Sequence, residues 1–136
     1  MGGGYAETSW GEDIEKFTER ISSLLPVESI IIFGSYAKDQ HGDWSDIDMM
    51  IISDYFKGIN ILDRFKILQE FKIGRIESFA YTYEELVRMV KSGNPLALNA
   101  LIEGKQLTIS PRVKELASQA KLIYEKRGRM WIRKVL

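Results

Sequence analysis

Two carboxylates spaced two positions apart give the sequence its clearest chemical signal. Asp46 and Asp48 open an apolar stretch that continues to Ile52 and is typical of a strand. Side chains at positions i and i+2 of a strand project from the same face, so both carboxylates point the same way. Like charges this close repel each other unless a cation compensates them, and Mg²⁺ prefers carboxylate and phosphate oxygens. The pair is compatible with a magnesium site, and equally with two aspartates on a solvated sheet face.

A glycine and a serine follow the preceding apolar run, residues 29–33. A strand that ends in Gly34-Ser35 and turns into a short helix exposes main-chain N–H groups, which can bind phosphate together with the serine hydroxyl. Glycine allows the backbone to approach the phosphate because it has no Cβ. Taken alone, the dipeptide also fits an ordinary turn.

The two features together have a characteristic spacing. Ten residues separate Gly34-Ser35 from the Asp46-x-Asp48 pair. This pattern resembles the signature of the nucleotidyltransferase superfamily of DNA polymerase β. Within it, the chain is most similar to the minimal nucleotidyltransferases of prokaryotes, single-domain proteins that are often paired with a HEPN-domain toxin. The resemblance covers roughly residues 12 to 110 and is carried by residues 33–38, 45–51 and 76–86 and by Glu103-Gly104.

The resemblance implies a third metal-binding carboxylate on a following strand. Glu77 is the only acidic residue of the third predicted strand and takes this role. Superfamily members commonly have Asp at this position. The alternative to a metal-binding role is that Glu77 is a surface residue. Lys38 stands where the minimal family often has Arg, and would contact a phosphate as a point charge or lie on a solvated helix. Asp39 replaces a glycine often seen in the family, and would weaken triphosphate binding if it faced inward.

The reaction implied by the resemblance is transfer of a nucleoside monophosphate, AMP from ATP, to an acceptor hydroxyl with the help of two Mg²⁺ ions. For the minimal family the implied acceptor is a tyrosine of a HEPN toxin, which would make this chain an antitoxin. The competing hypothesis is a non-catalytic module that binds nucleotide or regulates a partner by contact alone. An antibiotic nucleotidyltransferase ranks last. The implied catalytic and metal-binding residues are Asp46, Asp48 and Glu77, and the nucleotide-binding residues are Gly34, Ser35 and Lys38.

Strands that alternate with helices predict an α+β (α/β-type) domain, in which a small mixed β-sheet is covered by helices on one face. The resemblance implies the same architecture, the DNA polymerase β-like nucleotidyltransferase palm. Residues 36–45 are polar and turn-like. The tail around Trp131 is expected to be a helix end docked on its own domain, or a helix that binds a partner. Predicted helices begin at Ser9, residue 60, Thr82, Asn94 and Ser110, the last running towards Gly128, and predicted strands cover residues 29–33, 46–52, 75–81 and 105–109.

Composition narrows the classes of function. The 136 residues suit one domain, placed at residues 9–136 after a flexible leader at residues 1–8. The 19 Lys and Arg balance the 19 Asp and Glu, which argues against extensive nucleic-acid binding. The absence of cysteine excludes disulfides and thiol catalysis. No apolar run approaches the roughly 20 residues that span a bilayer, so we expect no membrane insertion and a cytoplasmic location, and the oligomeric state stays open.

Overall fold

The computed structural model describes residues 5–34, 46–108 and 110–135, with main chain alone for residues 5–10. Within these ranges helices and strands are interspersed along the chain. In chain order they are α1 (Tyr5–Leu24), β1 (Ser29–Phe33), β2 (Ile47–Ile52), a 3-10 turn (Asp54–Phe56), α2 (Ile61–Gln69), β3 (Ile76–Tyr81), α3 (Tyr83–Lys91), α4 (Pro95–Leu98), a π-helical turn (Asn99–Glu103), β4 (Lys105–Thr108), α5 (Pro111–Ile123), β5 (Tyr124–Arg127) and β6 (Met130–Arg133).

Four strands form one mixed sheet in the order β3-β2-β1-β4. Strand β1 pairs antiparallel with β2 and with β4, while β2 pairs parallel with β3. The predicted α+β class with a small mixed sheet is therefore confirmed. Because β1 runs against β2 and β3, its last residue lies beside the first residues of both. Phe33 is opposite Asp48, and Asp48 is opposite Glu77. We call this end of the sheet the carboxylate end.

Helices pack on both faces of the sheet, so the prediction of one covered face was wrong. The reason lies in β1 and β2, where apolar residues occupy positions of both parities and need cover on both sides. Helices α1 and α2 cover one face, and α3, α4 and α5 cover the other. The first face contributes Ile30, Ile32, Met49 and Ile51 to the core, and the second contributes Ile31, Phe33, Met50 and Ile52.

Side-chain caps fix three of the predicted helix starts. Thr82 and Glu85 form a reciprocal capping box at α3, and the side chains of Asn94 and Ser110 accept main-chain N–H groups at α4 and α5. Helix α1 instead begins at Tyr5, four residues before the predicted start at Ser9, because the intervening residues are compatible with helix. No helix in the described ranges is both long and apolar enough to cross a membrane.

The chain end departs most from prediction. Helix α5 stops at Ile123, and the residues expected to continue as helix form the β5–β6 hairpin, which turns at Gly128 with a φ of 63°. Tertiary contacts account for the difference. The buried Tyr124 hydroxyl donates to the Val90 carbonyl at 2.6 Å, and Trp131 Nε1 donates to Asn99 Oδ1 at 2.8 Å. These anchors hold the segment extended where local propensity alone permits helix.

A nearly buried ion pair ties α2, β3 and α3 together. The side chain of Arg64 is 5% exposed and donates to both carboxylate oxygens of Glu85, at 2.6 and 2.8 Å. Two further donors reach the main-chain carbonyls of Ile59 at 2.7 Å and Ala80 at 3.2 Å. Glu85 also accepts the Thr82 N–H as part of the capping box. Four of the five N–H groups of Arg64 thus have acceptors, and such hydrogen bonding is what makes buried charge tolerable.

We expect Glu85→Gln to lower the free energy of unfolding by about 2–4 kcal/mol, because it leaves the Arg64 charge uncompensated while Gln can still cap α3. Urea denaturation followed by circular dichroism measures the change. Glu84→Gln is the matched control, since Glu84 is exposed one position away in the same helical turn. Equal midpoints for the two variants would show that the pair contributes little.

Acid should destabilise the fold through Glu28 and Glu85. Hydrogen bonds from Arg112 lower the pKa of Glu28, and those from Arg64 lower the pKa of Glu85, in both cases against the opposing effect of burial. A carboxyl group whose pKa is lower in the folded state stabilises the protein at pH values above its unfolded-state pKa. This stabilisation is lost as the pH falls through the folded-state pKa. The difference in urea midpoint between wild type and Glu28→Gln should thus shrink from about pH 7 to about pH 3. A pH-independent difference would contradict this.

Candidate active site

The structure brings Gly34, Asp48 and Glu77 together at the carboxylate end. Gly34 directly follows β1 and has a φ of 81°, in the left-handed region that favours glycine. A Cβ built on Gly34 would lie 2.6 Å from Asp48 Oδ2, so the glycine backbone and this carboxylate are in direct contact. Glu77 lies opposite Asp48 on the neighbouring strand. Asp46, exposed just before β2, is close enough to influence the charge on Asp48.

Alternation along β2 orients these carboxylates. Ile47 and Met49 are 2% and 0% exposed and belong to the core beneath α1 and α2. These two side chains therefore point into packed structure. Asp48 projects from the other face, in line with Met50 and next to Phe33 on β1. The buried, apolar Phe33 therefore lies directly beside the half-buried Asp48 carboxylate.

Asp48 lies in an environment that disfavours its charge. Its pKa is raised, first by burial and then by the nearby charges of Asp46 and Glu77. None of the described residues forms an ion pair with Asp46 or Asp48. A cation placed between these carboxylates would relieve both the repulsion and the burial penalty. The charge and oxygen chemistry of Asp46 and Asp48 thus fit a divalent metal ion.

Glu77 is engaged elsewhere. Its Oε2 accepts from Lys72 Nζ at 3.1 Å, and both side chains are more than one third exposed. As the side chains stand in the described ranges, no three of the types His, Asp and Glu converge on one ion position. Glu77 therefore has a cationic partner, which Asp46 and Asp48 lack among the described residues.

Two of the predicted nucleotide-binding residues, Ser35 and Lys38, lie outside the described residues, as do Asp39 and the bend at His41. Their assigned roles stay predictions. Lys72, in contrast, is a residue at the carboxylate end that sequence reasoning missed. It follows α2 and precedes Glu77 by five positions, and nothing in that spacing marks the two residues as neighbours.

Gly104 gives a physical reason for the Glu103-Gly104 dipeptide noted in the sequence. A Cβ there would lie 2.7 Å from the Ile32 carbonyl oxygen and would collide with the Ala100 carbonyl. The missing side chain therefore lets the π-helical turn approach β1 just before Gly34. Glu103 holds Lys126 of the hairpin, with Nζ–Oε distances of 3.1 and 3.2 Å. The dipeptide thus has a structural role beside the site.

Comparison with known proteins agrees with this arrangement. Over 51 residues the chain is 39% identical to two Methanocaldococcus jannaschii proteins, each named as a putative protein adenylyltransferase. That alignment covers 38% of this chain and 50% of each relative, so the chain spans about half the length of the curated relatives it matches.

Two solved structures share the fold. A putative nucleotidyltransferase from Sulfolobus solfataricus is 26% identical, with a TM-score of 0.55 over 62% of this chain and 77% of that one. A toxin–antitoxin structure determined with AMP-PNP aligns with a TM-score of 0.53 over 79% of this chain and 82% of that one. At 18% identity, the second shows likeness of fold alone. Residues 14–107, from within α1 into β4, match the family model described as "Nucleotidyltransferase domain", and the protein belongs to that family.

Proposed function

We propose that this protein transfers AMP from ATP to a hydroxyl group on a partner protein, with two Mg²⁺ ions bound at the carboxylate end. The observation that carries the proposal is the contact between Gly34 and Asp48, beside Glu77 on the next strand. A glycine main chain that phosphate could approach here lies next to Asp48, which like Asp46 has no ion-pair partner among the described residues. The family match supports the reaction class, and the names of the curated relatives support AMP and a protein acceptor.

Asp46, Asp48 and Glu77 would hold the two ions, with Glu77 joining after it leaves Lys72. Bound Mg²⁺ would polarise the α-phosphate and increase the acidity of the acceptor hydroxyl. Because Gly34 has no Cβ, its main chain lies against the Asp48 carboxylate, and Gly34, Ser35 and Lys38 would contact the phosphates. These groups position the triphosphate and compensate its charge, which is most of what phosphoryl transfer requires.

The chemical step then balances as a displacement at phosphorus. The acceptor oxygen forms a bond to the α-phosphorus while the bond from that phosphorus to the bridging oxygen of the β-phosphate breaks, so pyrophosphate leaves. The hydroxyl proton passes to whichever of Asp46, Asp48 and Glu77 lies nearest the acceptor. Phe33 shields one side of Asp48 from water and keeps this carboxylate in a partly apolar setting.

The proposed acceptor is a tyrosine of a HEPN-domain toxin, which makes this chain its antitoxin. Support comes from the protein adenylyltransferase names of the relatives and from the fold shared with a toxin–antitoxin structure that contains AMP-PNP. Equal numbers of acidic and basic residues also favour a protein over a long nucleic acid as the acceptor.

Asp48→Asn should lower the rate of AMP transfer by at least about 100-fold, because it removes a metal-binding charge from the centre of the site. Intact-mass analysis of the protein and of its co-expressed partner, after incubation with ATP and Mg²⁺, measures the transfer. Asp54→Asn is the matched control, an exposed aspartate just beyond the opposite end of β2. Transfer that survives Asp48→Asn, or AMP on RNA but never on a protein, would contradict the proposal.

The same substitution should leave the urea midpoint unchanged or raise it near neutral pH. Burial and neighbouring charges raise the pKa of Asp48, which means that its ionised form is disfavoured in the folded state. Unfolding could then not account for a loss of activity in Asp48→Asn. A clear fall in the midpoint would show instead that Asp48 supports the fold.

Gly34→Ala should reduce transfer by at least about tenfold, because its Cβ would displace the Asp48 carboxylate. Gly58→Ala separates this collision from backbone strain. Gly58 has the same φ of 81°, but no atom lies within 4 Å of a Cβ built there. Both variants should lose about 1–2 kcal/mol of stability in urea denaturation, and only Gly34→Ala should lose transfer. Equal transfer rates in the two variants would show that the contact between Gly34 and Asp48 is not needed for transfer.

A further inference from the structure

One cation beside the candidate site is already paired with one of its carboxylates. Lys72 lies in the connection between α2 and β3, and its Nζ is 3.1 Å from Glu77 Oε2. Glu77 is in turn opposite Asp48 in the parallel pairing of β2 with β3. Lys72 therefore neutralises the carboxylate on one side of the cluster, while Asp46 and Asp48 have no ion-pair partner among the described residues.

The pair has the properties of a replaceable contact. The side chain of Lys72 is 39% exposed and that of Glu77 is 37% exposed, so water competes for both ends. An ion pair with this exposure is weak, and a divalent ion held by several carboxylates can displace it. The flexible lysine stem lets the ammonium withdraw without movement of the backbone.

We propose that Lys72 is the resting counter-ion of Glu77, and that metal binding replaces it. Lys72 is on this view a positioning residue that holds the third carboxylate in place and sets the affinity of the site for its ions. The inference rests on the proposed function, because it takes Glu77 as a metal ligand. It adds a competition within the chain itself: the same carboxylate serves either the lysine or the metal.

The test uses Mn²⁺ alone as the probe, with free Mn²⁺ measured by electron paramagnetic resonance in the absence of nucleotide. Lys72→Met should bind Mn²⁺ about two- to fivefold more tightly than wild type, because the competing ammonium is gone. Lys72→Arg keeps a cation able to pair with Glu77 and should restore near-wild-type affinity. Lys66→Met is the control for loss of a positive charge, since Lys66 is exposed in the last turn of α2 and forms no ion pair within the described ranges.

A second background tests whether the effect passes through Glu77. In Glu77→Gln, the further change Lys72→Met should leave Mn²⁺ affinity unaltered, because the carboxylate under competition is absent. Two results would show that Lys72 acts only through general electrostatics: Lys72→Met raises Mn²⁺ affinity equally in both backgrounds, or Lys66→Met raises it as much as Lys72→Met does. Either result would overturn the inference. Unchanged or weaker binding by Lys72→Met would overturn it as well.

The two proposals fail in different ways. If wild type binds Mn²⁺ and Asp48→Asn abolishes that binding, the metal site stands whatever Lys72→Met shows. If wild type binds no Mn²⁺ even at millimolar concentration, the metal site and the counter-ion role fall together.

Discussion

The register of β2 is the constraint on which the candidate site depends. Burial fixes it from both sides, because β2 lies between β1 and β3 and places apolar side chains into the core on each face. A slip by one residue would turn Asp48 into the core beneath α1 and α2 and expose Met49 in its place. The apolar residues of the strand therefore determine where the charge lies. The carboxylates are held by packing several residues away, and no hydrogen bond among the described side chains needs to hold Asp48 itself.

This arrangement concentrates unfavourable charge at one end of the sheet and stabilising charge elsewhere. At the carboxylate end, burial and like charges act against ionised Asp48. Beyond the opposite end, Arg112 joins Glu28 at 2.6 Å and stacks 3.9 Å from the centre of the Tyr83 ring, and Arg64 joins Glu85 under α2. Such a division is typical of proteins in which a functional site departs from the local rules that stabilise the remainder of the fold. The charge that weakens the fold is the charge suited to attract a cation.

Sequence patterns were most informative where local physics decides the outcome. The strand of residues 29–33 and the caps at Thr82, Asn94 and Ser110 follow from side-chain alternation and capping. The patterns failed where distant contacts decide. The β5–β6 hairpin, for example, depends on Trp131 reaching Asn99. Sequence patterns did not identify Lys72 for the same reason, since its pairing with Glu77 exists only after α2 and β3 have packed. Ser35 and Lys38 lie beyond what the structure describes.

The hydrogen bond from Arg64 to the Ala80 carbonyl affects how strands of other protein molecules can pair with the edge of the sheet. Strand β3 is the border of the described sheet, and its main-chain groups alternate in direction. The carbonyl of Tyr81 accepts from Ser53 beside β2, so that of Ala80 faces outward, where the guanidinium covers it. The outward N–H of Ile76 is likewise taken by Ile73. A foreign strand that extended the ladder here would find one donor and one acceptor of this border already taken. The same arginine that joins two helices thus removes one main-chain acceptor from strand pairing at this edge.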